Sequence, residues 1–257
     1  MHLDDPDTTR LRKQIIQQKP LLKNIYEEWY QTICSHLPLI EGPVLEIGSG
    51  AGFLKAFLPE LITSDIKPLP GNGVASDAQR LPFKDQSLRA IVLINVLHHI
   101  SRPLQFFAES ERCVKAGGAI IMIEPWVTCW SRIIYGKFHH ESFNPTHPSW
   151  DFPQTGPLSG GNNAIAWMIF ERDRERLHRQ TNWQVRLIEE IMPFRYLLSG
   201  GVSMRNLVPA WFIGPLTSLE KSMPSAMMKK TAMFALIVLG RKKDTDTPRR
   251  STTRHSG

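Results

Sequence analysis

Residues 44–52 read Val-Leu-Glu-Ile-Gly-Ser-Gly-Ala-Gly: a short apolar run carrying one acid, Glu46, followed by glycines at 48, 50 and 52. Glycines directly behind a strand let backbone amides approach a ligand that a Cβ would exclude. They also open a helix whose N-terminus faces that ligand. The spacing argues against one use of such a loop, because the dinucleotide pattern GxGxxG needs glycine at position 53, which is Phe53. Two more acids close apolar stretches, Asp65 in Ser64-Asp65-Ile66 and Asp77 in Asp77-Ala78, and His98-His99 follow another. A second polar group is His139-His140-Glu141 with His147. Neighbours at i, i+1 do not share a helix face, so no metal site is expected from it. His140 and Glu141 remain candidate catalytic acid–base groups, because such a pair is otherwise costly to bury.

These residues need elements to hold them. Thr9 to His36 spaces its apolar residues at helical intervals, and Pro20 splits it into two helices by removing one bond and crowding the preceding turn. From Val44 the period changes. Strands are predicted at Val44–Ile47, Leu61–Thr63, Gly73–Ala75, Ala90–Asn95 and Ala119–Glu124, with helices at Phe53–Phe57 and Leu104–Val114. Apolar strands without internal polar alternation, separated by helical stretches, indicate a parallel sheet covered on both faces. Late strands are predicted at Gln184–Met192 and Thr231–Arg241. The stretches 125–183 and 193–230 are too long for structureless loops and read as added helices and lid elements.

Taken in order, the glycine loop with Glu46, Asp65, Asp77-Ala78 before Leu81-Pro82-Phe83, Asn95-Val96-Leu97-His98-His99-Ile100 and Arg112-Cys113-Val114-Lys115-Ala116-Gly117-Gly118 resemble the class I S-adenosylmethionine-dependent methyltransferases. The resemblance is to the type 11 subgroup, which includes quinone-biosynthesis methyltransferases. It implies an α/β, Rossmann-like sheet of seven strands in the order 3-2-1-4-5-7-6, mostly parallel with the last strand antiparallel, and helices on both faces. It also implies S-adenosylmethionine as cofactor. Gly48, Ser49, Gly50 and Gly52 would lie against its methionine portion and Glu46 would favour its ammonium group. Asp65 would accept from the ribose hydroxyls, Asp77 and the Ala78 amide would meet the adenine, and Asn95 and Val96 would lie beneath the cofactor. His98 and His99 usually mark the end of the fourth strand in this subgroup and pack locally.

The expected organisation is one methyltransferase domain over 1–243, with N-terminal helices over 1–40, a cofactor half over 43–124, acceptor-side insertions over 125–183 and 193–230, and a disordered tail over 244–257. The expected reaction is in-line methyl transfer to a small-molecule or lipid-linked acceptor. The alternatives are a non-catalytic binding or assembly protein of the same fold, and methylation of RNA or protein. Five of the seven tryptophans fall between Trp126 and Trp183, so residues 125–157 read as a lid with an aromatic wall, or as helices packed onto the sheet. Ser199–Arg205 is a second glycine-bearing loop, expected to border the acceptor pocket. Composition narrows the partners. Of the net charge of +7, residues 241–257 supply +4, from six basic and two acidic side chains, which argues against a nucleic-acid-binding face. Three cysteines without CxxC spacing argue against a disulfide scaffold and fit a reducing, cytoplasmic setting. No apolar run is long enough to span a membrane, although the weakly charged stretch 207–228 could touch a membrane surface, pack in the core or form a subunit contact. The oligomeric state is not legible.

Overall fold

The computed structural model describes residues 6–68, 73–138, 142–153 and 160–242. Its centre is a seven-stranded sheet in the order β3-β2-β1-β4-β5-β7-β6. The strands are β1 (Val44–Ile47), β2 (Ile62–Asp65), β3 (Val74–Ala75), β4 (Leu88–Ile94), β5 (Val114–Pro125), β6 (Trp183–Ile191) and β7 (Phe234–Arg241). Neighbours are parallel from β3 through β5, with Leu45 opposite Ile62 and Ile91. β7 runs antiparallel to both β5 and β6, with Ile237 facing Met122 on one side and Ile188 on the other. Order and direction agree with the expected methyltransferase sheet.

Side chains on a strand alternate between faces, so one apolar run feeds two cores. Ala90 and Val92 join Ile121 and Ile123 beneath α2 (Pro20–Ser35), whose Leu21, Ile25, Trp29 and Ile33 are buried there. Ile91 and Leu93 join Ile120 and Met122 on the opposite face, against Phe106 and Phe107 of α3 (Pro103–Cys113). Pro20 starts α2 at the position where a missing N–H costs nothing, and α1 (Pro6–Gln18) ends just before it.

The helix expected at Phe53–Phe57 is absent. Only a 3-10 turn, Leu54–Ala56, follows the glycine loop. Fourteen residues lie between Ile47 and Ile62, and the loop uses the first five of them. Pro59 interrupts what remains, so the chain makes one turn and re-enters the sheet. The insertion after β5 contains α4 (Cys129–Phe138), α5 (Ile165–Trp167), a π-helical turn over Met168–Arg172 and α6 (Arg174–Gln180). The second insertion contains α7 (Arg195–Leu198), α8 (Ile213–Lys221) and α9 (Ser225–Thr231).

The tryptophans of the first insertion are chiefly packing residues. Trp126, Trp150 and Trp183 are buried in the core. Trp150 Nε1 donates to Asp173 at 2.8 Å and Trp183 Nε1 to the Phe107 carbonyl at 3.1 Å. Buried indoles need both an apolar bed and one acceptor, and these two have them. The expected tail, 244–257, lies outside the described residues.

Candidate active site

The carboxyl ends of β1, β2 and β4 open into a cavity of about 440 Å³. Gly48, Ser49, Gly50 and Gly52 all line it, as do Glu46, Asp65, Asp77, Ala78, Asn95 and Val96. In open parallel sheets ligands lie at this end of the strands. Gly48 has φ +66°, and a Cβ there would stand 2.5 Å from Val96 Cγ2. The loop therefore needs glycine at 48 for both conformation and space. The Ser49 amide donates to the Ser64 carbonyl at 2.9 Å, and Gly50 N donates to Asp65 Oδ2 at 3.1 Å. Asp65 also accepts from Lys67 N at 3.3 Å, while Asp77 accepts from Gln79 N at 2.9 Å in a tight local turn.

Glu46 is the unusual member. It is buried in β1, and burial together with the nearby Asp65 charge raises its carboxyl from 4.5 to about 8. A carboxyl in that condition suits a cationic ligand, which would return the stabilisation that burial removes. Two buried polar atoms at the cavity have no protein partner: Asn95 Oδ1 and Ser76 Oγ. Asn95 also sits at φ +55° and donates its amide to the Ile123 carbonyl at 2.9 Å. Native proteins seldom leave buried polar groups unmatched, so these two atoms mark a place for ligand or water hydrogen bonds.

Next to this region lies a pair that the sequence reading placed among local packing. Glu124, at the end of β5, is completely buried. Its Oε1 accepts from Val96 N and Leu97 N, both at 2.7 Å, and its Oε2 is 2.7 Å from His98 Nδ1. The same carboxyl thus fixes the loop after β4 through two amides and orients the His98 ring through Nδ1. His98 does pack locally, as expected, and it also lines the cavity. The available signal was the spacing of Glu124-Pro125 at one strand end and His98 just past its neighbour. His140 and Glu141, the lid candidates for catalysis, lie outside the described residues together with His139. Among the described residues no group of three His, Cys, Asp or Glu could hold a metal ion.

The other wall comes from both termini. Tyr26 and Tyr30, four apart on α2, line it with Tyr135, Tyr196 and Phe234, so the cavity's aromatic wall is built from these residues rather than from tryptophan. Tyr30 Oη accepts from Phe53 N at 3.0 Å, which ties α2 to the glycine loop. Burial, with the Glu46 charge second, pushes the Tyr30 hydroxyl far above its usual range, so it stays neutral. The second glycine loop borders the cavity as expected: Gly200, Gly201, Val202, Ser203 and Met204 line it. Lys19, between α1 and α2, holds this loop by donating to the carbonyls of Gly201 (2.6 Å) and Met204. Beneath it, Arg195 is buried between Glu220 (2.6 Å) and Glu28 (2.8 Å), joining α7, α8 and α2.

Residues 45–122 match the family model described as a methyltransferase domain. Over this stretch the chain is similar to a type 11 methyltransferase domain. Its fold is shared with solved structures at low identity. A chain from the complex between the Haloferax volcanii Trm112 methyltransferase activator and a methyltransferase is 15% identical, with TM-score 0.55, covering 92% of this chain and 95% of that one. Geranyl diphosphate C-methyltransferase from Streptomyces coelicolor A3(2), solved with Mg2+, geranyl diphosphate and S-adenosyl-L-homocysteine, is 12% identical, with TM-score 0.54 and coverage of 90% and 84%. An S-adenosylmethionine-dependent methyltransferase from Thermotoga maritima is 15% identical, with TM-score 0.52 and coverage of 89% and 99%. Comparison with curated proteins by sequence finds no match. Arg112, within the matched stretch, has a structural role. Its guanidinium donates to the carbonyls of Phe83 (2.7 Å) and Leu81 (3.0 Å), fixing the Leu81-Pro82-Phe83 segment behind Asp77-Ala78.

Proposed function

We propose that this chain is an enzyme that transfers the methyl group of S-adenosylmethionine to a small-molecule or lipid-linked acceptor. The observation that carries the reading is that the glycine loop, Glu46, Asp65, Asp77-Ala78 and Asn95-Val96 converge on one cavity, which Tyr26, Tyr30, Tyr135, Tyr196 and Phe234 wall on another side. The residues fit the cofactor's chemistry: a buried carboxyl that a cationic portion would help to ionise, further carboxylates for hydroxyl and amino donors, and orphaned polar atoms in Asn95 and Ser76. When bound, S-adenosylmethionine supplies a methyl group on a sulfonium, open to displacement by an acceptor lone pair.

The work left to the chain is alignment, water exclusion and proton removal. Aligning two reactants in a closed site can contribute several kcal/mol, and the Tyr26, Tyr30, Tyr135 and Tyr196 wall supplies the closed, water-poor side. If the acceptor is a hydroxyl or an activated carbon, a base must take its proton. His98, oriented by Glu124 through Nδ1 and lining the cavity, is one candidate, and His140 and Glu141 are the lid-side candidates. Titration calorimetry with S-adenosylmethionine or its demethylated product is the test. No binding by the wild type, or unchanged binding by Asp65→Ala, refutes the reading. Incubation with methyl-labelled cofactor and a fractionated small-molecule extract then identifies the acceptor. Binding without any labelled product would favour the assembly-protein alternative, and a nuclease-sensitive product would favour RNA.

A further inference from the structure

Six of the ten exposed large hydrophobic residues among those described fall within residues 204–227: Met204, Leu207, Trp211, Phe212, Leu219 and Met227. Single exposed apolar side chains need no explanation, but a concentration in one segment marks a contact surface. The geometry of α8 makes the point local. Ile213, Leu216 and Glu220, at i, i+3 and i+7, are its buried face. Phe212, Pro215 and Leu219 repeat the same spacing one residue earlier and are exposed, so a second apolar stripe faces outward beside the first. Trp211 and Phe212 meet edge to face at 5.6 Å, and the indole is 78% exposed. α9, which follows, buries none of its residues and ends in Lys229-Lys230.

The charge on this surface has one sign. Between Glu190 and Asp244 the only acid is Glu220, and it is buried against Arg195 and the Phe194 and Arg195 amides. Arg205, Lys221, Lys229 and Lys230 are exposed on the same segment, with Lys221 3.5 Å from Glu28. Exposed Trp, Phe and Leu interleaved with Lys and Arg, without a surface acid, complement an anionic lipid surface. The rings and aliphatic chains enter the headgroup boundary and the cations meet the phosphates. A second copy of this chain would bury the apolar stripe equally well but would bring like charges together, and a protein partner would have to supply an acidic face of its own, whereas anionic lipid supplies both the apolar layer and the charge. The position is also informative, because Met204 belongs both to this surface and to the cavity lining.

We infer that residues 204–230 dock the chain on anionic membrane, with the cavity opening beside the bilayer. The docking itself stands without the methyl-transfer reading; delivery of an apolar acceptor from the bilayer rests on it. The test is flotation of the full chain with vesicles of phosphatidylcholine alone or phosphatidylcholine mixed with phosphatidylglycerol. The expected result is co-flotation with the anionic vesicles only, weakened by added salt. Lys229→Gln with Lys230→Gln should weaken partition by roughly tenfold or more. Trp211→Ser with Leu219→Ser should abolish it while thermal unfolding stays unchanged, since both side chains are largely exposed. Absence of flotation overturns the inference. So does flotation that both double variants retain, which would assign binding to another part of the chain. A concentration-dependent dimer lost in Trp211→Ser, without vesicle binding, assigns the face to a second copy and also overturns it.

Discussion

Glu46 offers the sharpest test of the cofactor reading, because its ionisation must change when a cation arrives. Burial and Asp65 raise its carboxyl to about 8, so at pH 7 the ligand-free protein holds it protonated in about nine molecules of ten. A sulfonium or ammonium placed against it favours the carboxylate and drives the proton off. Calorimetric titration at pH 7 in two buffers of different ionisation enthalpy should therefore report release of about 0.9 proton per ligand, falling to about 0.1 at pH 9. Affinity should strengthen close to tenfold per pH unit below 8. The same group sets a stability trend. A carboxyl held more tightly protonated in the folded state than in the unfolded chain makes stability fall as pH rises from 4.5 through 8, and level off above. The loss amounts to about 3 kcal/mol by pH 7 and approaches about 5 kcal/mol beyond pH 8. Glu46→Gln should remove that pH dependence, stabilise the ligand-free protein at pH 8, and abolish proton release. If wild type and Glu46→Gln release the same number of protons, Glu46 does not face the cation and the argument fails.

Other substitutions separate roles that the structure keeps apart. Gly48→Ala meets Val96 at 2.5 Å in a positive-φ position, so it should lower stability by about 1–3 kcal/mol in urea titrations and remove cofactor binding. Glu124→Ala strands the Val96 and Leu97 amides and His98, at a cost of about 3–5 kcal/mol on thermal or urea unfolding. Glu124→Gln should keep most of that stability but flip the His98 tautomer, visible in the nitrogen chemical shifts of the ring. Arg195→Met leaves the buried Glu220 without its cation and Glu28 with only Lys221, and should cost about 3–5 kcal/mol, measured by urea unfolding at pH 7.

The sheet was legible because its central strands, β1, β4 and most of β5, are buried on both faces and bounded by glycine, proline or acid. Such strands read as apolar runs whatever covers them. The cavity's glycine and acid residues were legible for a related reason: Gly48, Asp65 and Asp77 sit at or just past strand ends, where topology alone brings them together. The aromatic wall was not. Tyr26 and Tyr30 belong to a helix whose pattern states that one face is buried and not which strand end that face reaches. The tryptophans left two readings open for the opposite reason. Their bulk suits a pocket wall and a core equally, and the choice depended on the Asp173 carboxylate and the Phe107 carbonyl accepting from buried indoles. His98 was hidden by its partner, because Glu124 lies 26 residues away and only the parallel pairing of β4 with β5 makes them neighbours.

The missing helix after the glycine loop shifts the burden of ligand recognition. A full helix would present several aligned amides and the positive end of its dipole to the loop, favouring an anion. Here a single 3-10 turn follows, and the acids at the loop are Asp65, to which Gly50 N already donates, and Glu46, which burial keeps mostly protonated at pH 7. The loop therefore lacks the aligned amides that welcome a phosphate, and Glu46 holds a proton that an arriving cation can displace. Both features disfavour a phosphate-bearing dinucleotide and favour a ligand with a net positive portion. The absence of glycine at position 53 had argued the same from spacing alone. Spacing and field are independent, since one concerns how closely backbone can approach and the other which charge is welcome. Their agreement makes a cation the better occupant of the cavity floor.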